Sequence, residues 1–121
     1  MATRVLVVDD HAGFRSFARR LLSAAGFVVV GEVGSGEDAV AASERLRPDA
    51  VLLDVQLPDL DGFEVARRLS RQPGAPDVVL TSARSLSDYG VDTLGVGVRG
   101  FVAKSDLSGP ALTAALSGPP Q

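Results

Sequence analysis

Five short runs of this sequence are apolar at every position rather than at alternate ones: residues 5–8, 27–30, 50–53, 78–80 and 101–103. A strand with one wet face alternates apolar and polar residues. A strand covered on both faces need not, and such continuous runs are the habit of parallel sheets. The stretches between them have helical period. Phe14, Phe17, Ala18, Leu21, Leu22 and Ala25 fall on one helix stripe, and Gly26 follows as a C-terminal stop. Ser35 before Gly-Glu-Asp38 and Asp61 before Gly-Phe-Glu64 have the spacing of N-terminal caps. Pro48 ends the first of these two helices, and Phe63, Ala66 and Leu69 continue the second. Ser108 is placed to cap a last helix, with Pro110 in its first turn and Leu112, Ala115 and Leu116 along it. Residues 86–98 read as a short, weak, mobile helix, because Gly90, Gly95 and Gly97 each cost about 1 kcal/mol relative to Ala. Strand and helix therefore alternate five times. That order predicts an α/β domain: a doubly wound parallel sheet with right-handed crossovers and helices on both faces.

Composition narrows the chemistry. The 121 residues suffice for one domain with its own core. There is no cysteine, which excludes disulfide scaffolds, thiolate zinc sites, iron–sulfur clusters and cysteine nucleophiles. A net charge of −3 argues against gripping a nucleic acid backbone, and no helix-turn-helix pattern is present, so direct nucleic acid binding is not expected. No apolar run approaches the roughly 20 residues that span a bilayer, and the N-terminus has no signal-peptide layout. A cytoplasmic chain without membrane contact is expected. Residues 117–121, Ser-Gly-Pro-Pro-Gln, read as a tail or the start of a linker.

Four of the five runs end on their C-terminal side in polar groups: Asp9-Asp10, Asp54, Thr81-Ser82 and Lys104. In an open parallel sheet those ends share one edge, where ligands bind. The edge would gather three carboxylates, a hydroxyl and the only lysine of the chain. Two like charges about 4 Å apart repel by about 4 kcal/mol at an effective dielectric of 20, so the cluster calls for a cation. An all-oxygen set suits Mg²⁺, and zinc is not expected with no cysteine and one histidine. Such a site would bind a phosphoryl group through the metal, the Lys104 ammonium and the Ser82 hydroxyl.

Each residue also has a plainer reading. Asp-Asp after a strand is often only a turn, Ser82 could cap a helix, and Lys104 could be a solvated loop cation. His11 reads as the start of the first helix, packed near the site, rather than as a catalytic base. Gly34-Ser-Gly36 reads as a tight turn with a cap, since it lacks the dinucleotide and P-loop patterns. The conjunction at one edge is what favours a site.

Four segments resemble the receiver domain of two-component response regulators: Val-Leu-Val-Val-Asp-Asp-His11, Leu-Leu-Asp-Val-Gln-Leu-Pro-Asp-Leu-Asp-Gly62, Val-Leu-Thr-Ser-Ala83 and Gly-Phe-Val-Ala-Lys104. The resemblance covers residues 4 to about 117. Asp-Asp-His11, Val-Gly-Glu32 and a Ser after Lys104 lean toward receivers of the NarL/FixJ type. The resemblance implies a flavodoxin-like (βα)5 fold with strand order 2-1-3-4-5, over residues 1–116. It implies Asp54 as phospho-acceptor, and Mg²⁺ held by Asp9, Asp10, Asp54 and the backbone carbonyl of Gln56. Ser82 and Lys104 would contact phosphoryl oxygens. Ser82 and Phe101 would form the switch, signalling through the 83–104 surface. Gln56 and Arg84 would flank the phosphoryl group and influence its hydrolysis. Implied partners are a histidine kinase as phosphodonor, an effector domain or downstream protein, often in transcription regulation, and a second copy in a homodimer. The resemblance implies a chain that is not a conventional enzyme but is expected to catalyse its own phosphotransfer and autodephosphorylation.

Two readings compete. A phosphatase with an Asp nucleophile directly after the first strand would usually need a second acid two residues later and a substrate pocket; here Ala12 and Gly13 follow the acids. A phosphorylation-independent interaction module on the same fold need not keep every site residue, yet all are present here.

Overall fold

A computed structural model of the chain describes residues 2–84 and 98–117. Its elements are β1 (Arg4–Val8), α1 (Ala12–Ala24), β2 (Val28–Val33), α2 (Gly36–Leu46), β3 (Ala50–Asp54), α3 (Gly62–Ser70), β4 (Asp77–Ser82), β5 (Val98–Ala103) and α4 (Gly109–Ser117), with a 3-10 turn at Lys104–Asp106. The five strands form one parallel sheet in the order β2-β1-β3-β4-β5, as expected. The weak helix read over residues 86–98 lies outside the described residues up to 97, while Val98 already belongs to β5. Residues 118–121 of the tail also lie outside them.

The sheet divides the core in two. Leu6, Val8, Val51, Leu53 and Leu80 face α2 and α3, which contribute Ala39, Ala42, Val65, Ala66 and Leu69. Val5, Val7, Leu52 and Val79 face α1 and α4, which contribute Ala18, Leu22, Leu112 and Leu116. Successive side chains of one strand thus enter opposite layers, as the pleat requires. That alternation decides which polar groups at the strand ends meet.

The continuous apolar runs hold only partly as a sign of two-sided burial. β1 and β3 are buried along almost their whole length, whereas the edge strands β2 and β5 are half-exposed. A residue run cannot reveal that its strand lacks a neighbour on one side. Phe17 is likewise 39% exposed although it falls on the α1 stripe. Phe27 is not in β2 but in the helix stop: Gly26 has φ +95°, its N–H bonds the Ser23 carbonyl, and Phe27 N–H bonds the Leu22 carbonyl. The caps form as read. Ser35, Asp61 and Ser108 side chains accept from the N–H groups of Asp38, Glu64 and Ala111.

Candidate functional site

Each acidic group is placed by the end of a strand. Asp54 is the last residue of β3, and Asp9 follows β1 directly. In β3, Leu52 enters the α1/α4 layer and Asp54 has the same parity. By the same count Asp9 continues Val5 and Val7, and Lys104 continues Val102. Alternation alone therefore turns these three side chains to one side of the sheet edge. Asp9 is 0% exposed and Asp54 4% exposed.

Lys104 joins them. Its Nζ stands 2.6 Å from Asp9 Oδ2 and 3.4 Å from Asp54 Oδ2. The ammonium also lies 4.2 Å from the centroid of the Phe14 ring on α1, a cation–π contact. Burial pulls the Lys104 pKa down, but the two carboxylates outweigh it and hold it above the usual lysine value. Asp54 is shifted above the usual carboxylate range. Burial is the main cause and the Asp9 charge adds to it, against the Gln56 N–H bond and the Lys104 charge.

Asp10 and His11 close the cluster from the start of α1. His11 is the N-cap residue, and its N–H donates to Asp9 Oδ1 at 2.9 Å. Its Nδ1 lies 3.2 Å from Asp9 Oδ1 and 3.0 Å from Asp10 Oδ1. One ligand atom from each of Asp9, Asp10, His11 and Asp54 lies within 4.8 Å of the others. The donor set fits a hard divalent cation: several carboxylate oxygens converge, and Asp9 Oδ2 is fully buried without an aligned hydrogen bond among the described residues, although Lys104 pairs with it by charge. A cleft of about 320 Å³ opens over the cluster, lined by Asp10, His11, Asp54, Gln56, Leu57, Pro58, Ala83 and Lys104.

Two expected residues stand apart from this cleft. Ser82 is 0% exposed and does not line it; its Oγ accepts from the N–H of Arg84 at 3.0 Å. Ser82 pairs with Ala103 across β4 and β5, and Phe101 pairs with Leu80. By parity Ser82 and Phe101 share the α2/α3 layer, where Phe101 is half-buried. Their strand positions therefore put them on the same face of β4 and β5. Gln56 lines the cleft and is exposed, Arg84 is exposed, and Gln56 N–H bonds Asp54 Oδ1 at 3.2 Å. The Lys104–Ser105 peptide is trans.

The sequence reading missed four supports. Phe14, read only as core, carries the Lys104 ammonium. Arg15 donates to the Asp9 carbonyl at 2.6 Å and lies near Glu32. Both stand in the first turn of α1, three and four residues after His11, a spacing that places them on its face. Gly62 packs its Cα against the Asp54 backbone, where a Cβ would come within 2.6 Å of the Asp54 carbonyl oxygen. Asp59 accepts from the N–H groups of Gly36 and Glu37, tying the β3–α3 loop to the start of α2. Nothing local in the sequence marks that last pairing.

Residues 5–116 match a family model described as the response regulator receiver domain. The chain is 42% identical over 109 residues to a protein-glutamate methylesterase/protein-glutamine glutaminase of Anaeromyxobacter dehalogenans, covering 89% of this chain and 31% of that protein. It spans about a quarter to a little over half the length of most curated relatives that match it. Among solved structures, a two-component response regulator of the LuxR family from Aurantimonas superimposes with a TM-score of 0.80 and 29% identity, over 87% of this chain and 76% of that one. The receiver domain of a sensor histidine kinase from Pseudomonas aeruginosa, with magnesium coordinated in its active site cleft, gives 0.82 and 27%, over 96% and 95%.

Proposed function

The chain belongs to the response regulator receiver domain family, and on that premise we propose that Asp54 is its phospho-acceptor, taking a phosphoryl group from a histidine kinase. The observation that carries the reading is the convergence of Asp9, Asp54 and Lys104 at the C-terminal edge of the sheet, under an open cleft. Phosphoryl transfer to a carboxylate needs alignment and charge neutralisation more than a general base. The bond from phosphorus to the donor histidine nitrogen breaks as the bond to an Asp54 oxygen forms. The electron pair returns to the donor imidazole, which takes its proton from water.

The carboxylates of Asp9, Asp10 and Asp54 and the Gln56 backbone carbonyl would hold Mg²⁺, which when bound neutralises charge on the phosphoryl oxygens. Lys104 leaves its place between Asp9 and Asp54 for a phosphoryl oxygen, a short move for a side chain already at the cleft. Burial keeps water from competing at Asp54, and the Gln56 N–H holds one of its oxygens in place.

Ser82 supplies the switch. Its hydroxyl accepts from the Arg84 N–H, so a shift of Ser82 toward a phosphoryl oxygen would be felt at residues 82–84. The space it vacates lies in the layer that holds Phe101, and a Phe101 rotamer change would carry the signal to the 83–104 surface. Much of that surface lies outside the described residues. Gln56, on the cleft lining, and the exposed Arg84 would set the lifetime of the acyl phosphate. We take residues 1–116 as the receiver and 117–121 as a tail or the start of a linker; the family match over residues 5–116 supports the extent of the receiver.

The test is incubation with Mg²⁺ and acetyl phosphate, followed by intact mass. One phosphoryl group should be gained, be labile, be lost in Asp54→Asn, and decay at a changed rate in Arg84→Ala. Continuous hydrolysis of the donor would instead indicate a phosphatase, and no gain an inert interaction module.

A further inference from the structure

We propose that His11 is a metal ligand in this site and shifts its preference from Mg²⁺ toward the later divalent ions of the first transition row. The inference rests on reading the acidic cluster as the receiver's metal site. His11 Nδ1 is 3.0 Å from Asp10 Oδ1 and 3.2 Å from Asp9 Oδ1, so the imidazole already occupies the ground an ion would contest. The backbone places it there: the His11 N–H bonds Asp9 Oδ1, and α1 starts at the next residue. The ring and the Asp9 carboxylate are thereby tied within one turn.

The dimensions suit ligation. Ligands on opposite sides of an ion bound at about 2.1 Å are about 4.2 Å apart. Ligand atoms that lie within 4.8 Å of one another need to close by only about half an ångström at the widest pair. The His11 side chain is 73% exposed, so its ring turns without disturbing the core. With its proton on Nε2, a neutral imidazole presents a lone pair at Nδ1. Three carboxylates alone make a hard, all-oxygen set suited to Mg²⁺. An imidazole adds a donor that Mg²⁺ gains little from, while Co²⁺ and Ni²⁺ gain strongly, in the Irving–Williams order.

The composition makes the test clean. His11 is the only histidine and there is no cysteine, so no other side chain of this chain offers an aromatic nitrogen or thiolate. The tag-free chain is loaded with Mn²⁺, and its nitrogen hyperfine coupling is read by electron spin-echo modulation. Dissociation constants for Mg²⁺ and Ni²⁺ are measured by calorimetry in wild type, His11→Ala and Asp10→Asn. Circular dichroism checks that each variant is folded. The expected result is imidazole nitrogen modulation in wild type that vanishes in His11→Ala, with the Ni²⁺-over-Mg²⁺ preference reduced about tenfold or more in that variant. Binding that is weakened by Asp10→Asn, shows no nitrogen coupling and keeps its preference in His11→Ala would overturn the ligand role and leave the acidic metal site standing. No saturable binding of either ion would overturn both.

Discussion

Gly62 presses against Asp54: a Cβ at position 62 would lie 2.6 Å from the Asp54 carbonyl oxygen and 2.7 Å from the Val55 Cα. Gly62 N–H also bonds the Val55 carbonyl at 2.7 Å. The start of α3 is thus fastened to the residue that ends β3, and neither backbone segment has a flexible side chain to give way. Gly62→Ala should cost about 3 kcal/mol through this overpacking, read as a lowered midpoint in urea. It should also slow phosphorylation by acetyl phosphate, because Asp54 must shift. Wild-type stability in the variant would show that the contact relaxes freely.

Lys104 stands between two carboxylates that burial makes costly. Lys104→Met leaves Asp9 Oδ2 buried without its counter-charge, so stability should fall by about 2 kcal/mol, the cost of an unpaired buried group. The Lys104 pKa is raised on folding, so its stabilisation is complete below the ordinary lysine value and lost as pH rises through the folded value. An alkaline loss of stability in wild type should therefore be smaller in Lys104→Met. Acetylation reaches this one side-chain amine, and should impair phosphorylation at Asp54.

Asp54 depends on pH in the same direction, over a lower range. Its pKa is raised on folding, so the folded chain holds that proton more tightly and stability falls as pH climbs from the ordinary carboxylate range through the raised value. Asp54→Asn removes the buried charge and should stabilise the chain at pH 7.5 in the absence of divalent ions, with the gap closing in acid. On the proposed reading Mg²⁺ should raise the wild-type melting temperature, because an ion that binds the folded site and not the unfolded chain stabilises the fold. Asp9→Ala and Asp10→Ala should blunt that rise; equal rises in all three would place the ion elsewhere.

Asp59 holds the first two N–H groups of α2 from a loop two elements away. Its pKa is lowered by the Glu37 and Gly36 bonds, so the stabilisation is present above the ordinary carboxylate value and lost as pH falls through the folded one. Asp59→Ala should lower the melting temperature at neutral pH and flatten its fall in acid. Asp59→Asn, which keeps one acceptor, should lie between. A melting profile identical to wild type would show the clasp to be idle.

The apolar runs, the caps and the stop at Gly26 were all legible in the sequence, because each is a local demand of the backbone: a buried strand needs apolar residues, and a helix end needs an acceptor or a positive φ. From them follow the alternating order and the parallel sheet, and from the sheet the gathering of Asp9, Asp10, Asp54 and Lys104 at one edge. Side-chain parity and strand neighbourhood decided the rest. Parity turns Asp9, Asp54 and Lys104 to one side and Ser82 with Phe101 to the other. The edge positions of β2 and β5 leave those strands half-exposed despite their apolar runs. The clasp of Asp59 on α2, the Phe14 ring under the ammonium and the Gly62 contact depend on elements brought together only by packing. A chain of residues records its own local preferences; which distant groups come within hydrogen-bond reach is set by how the layers close over the sheet.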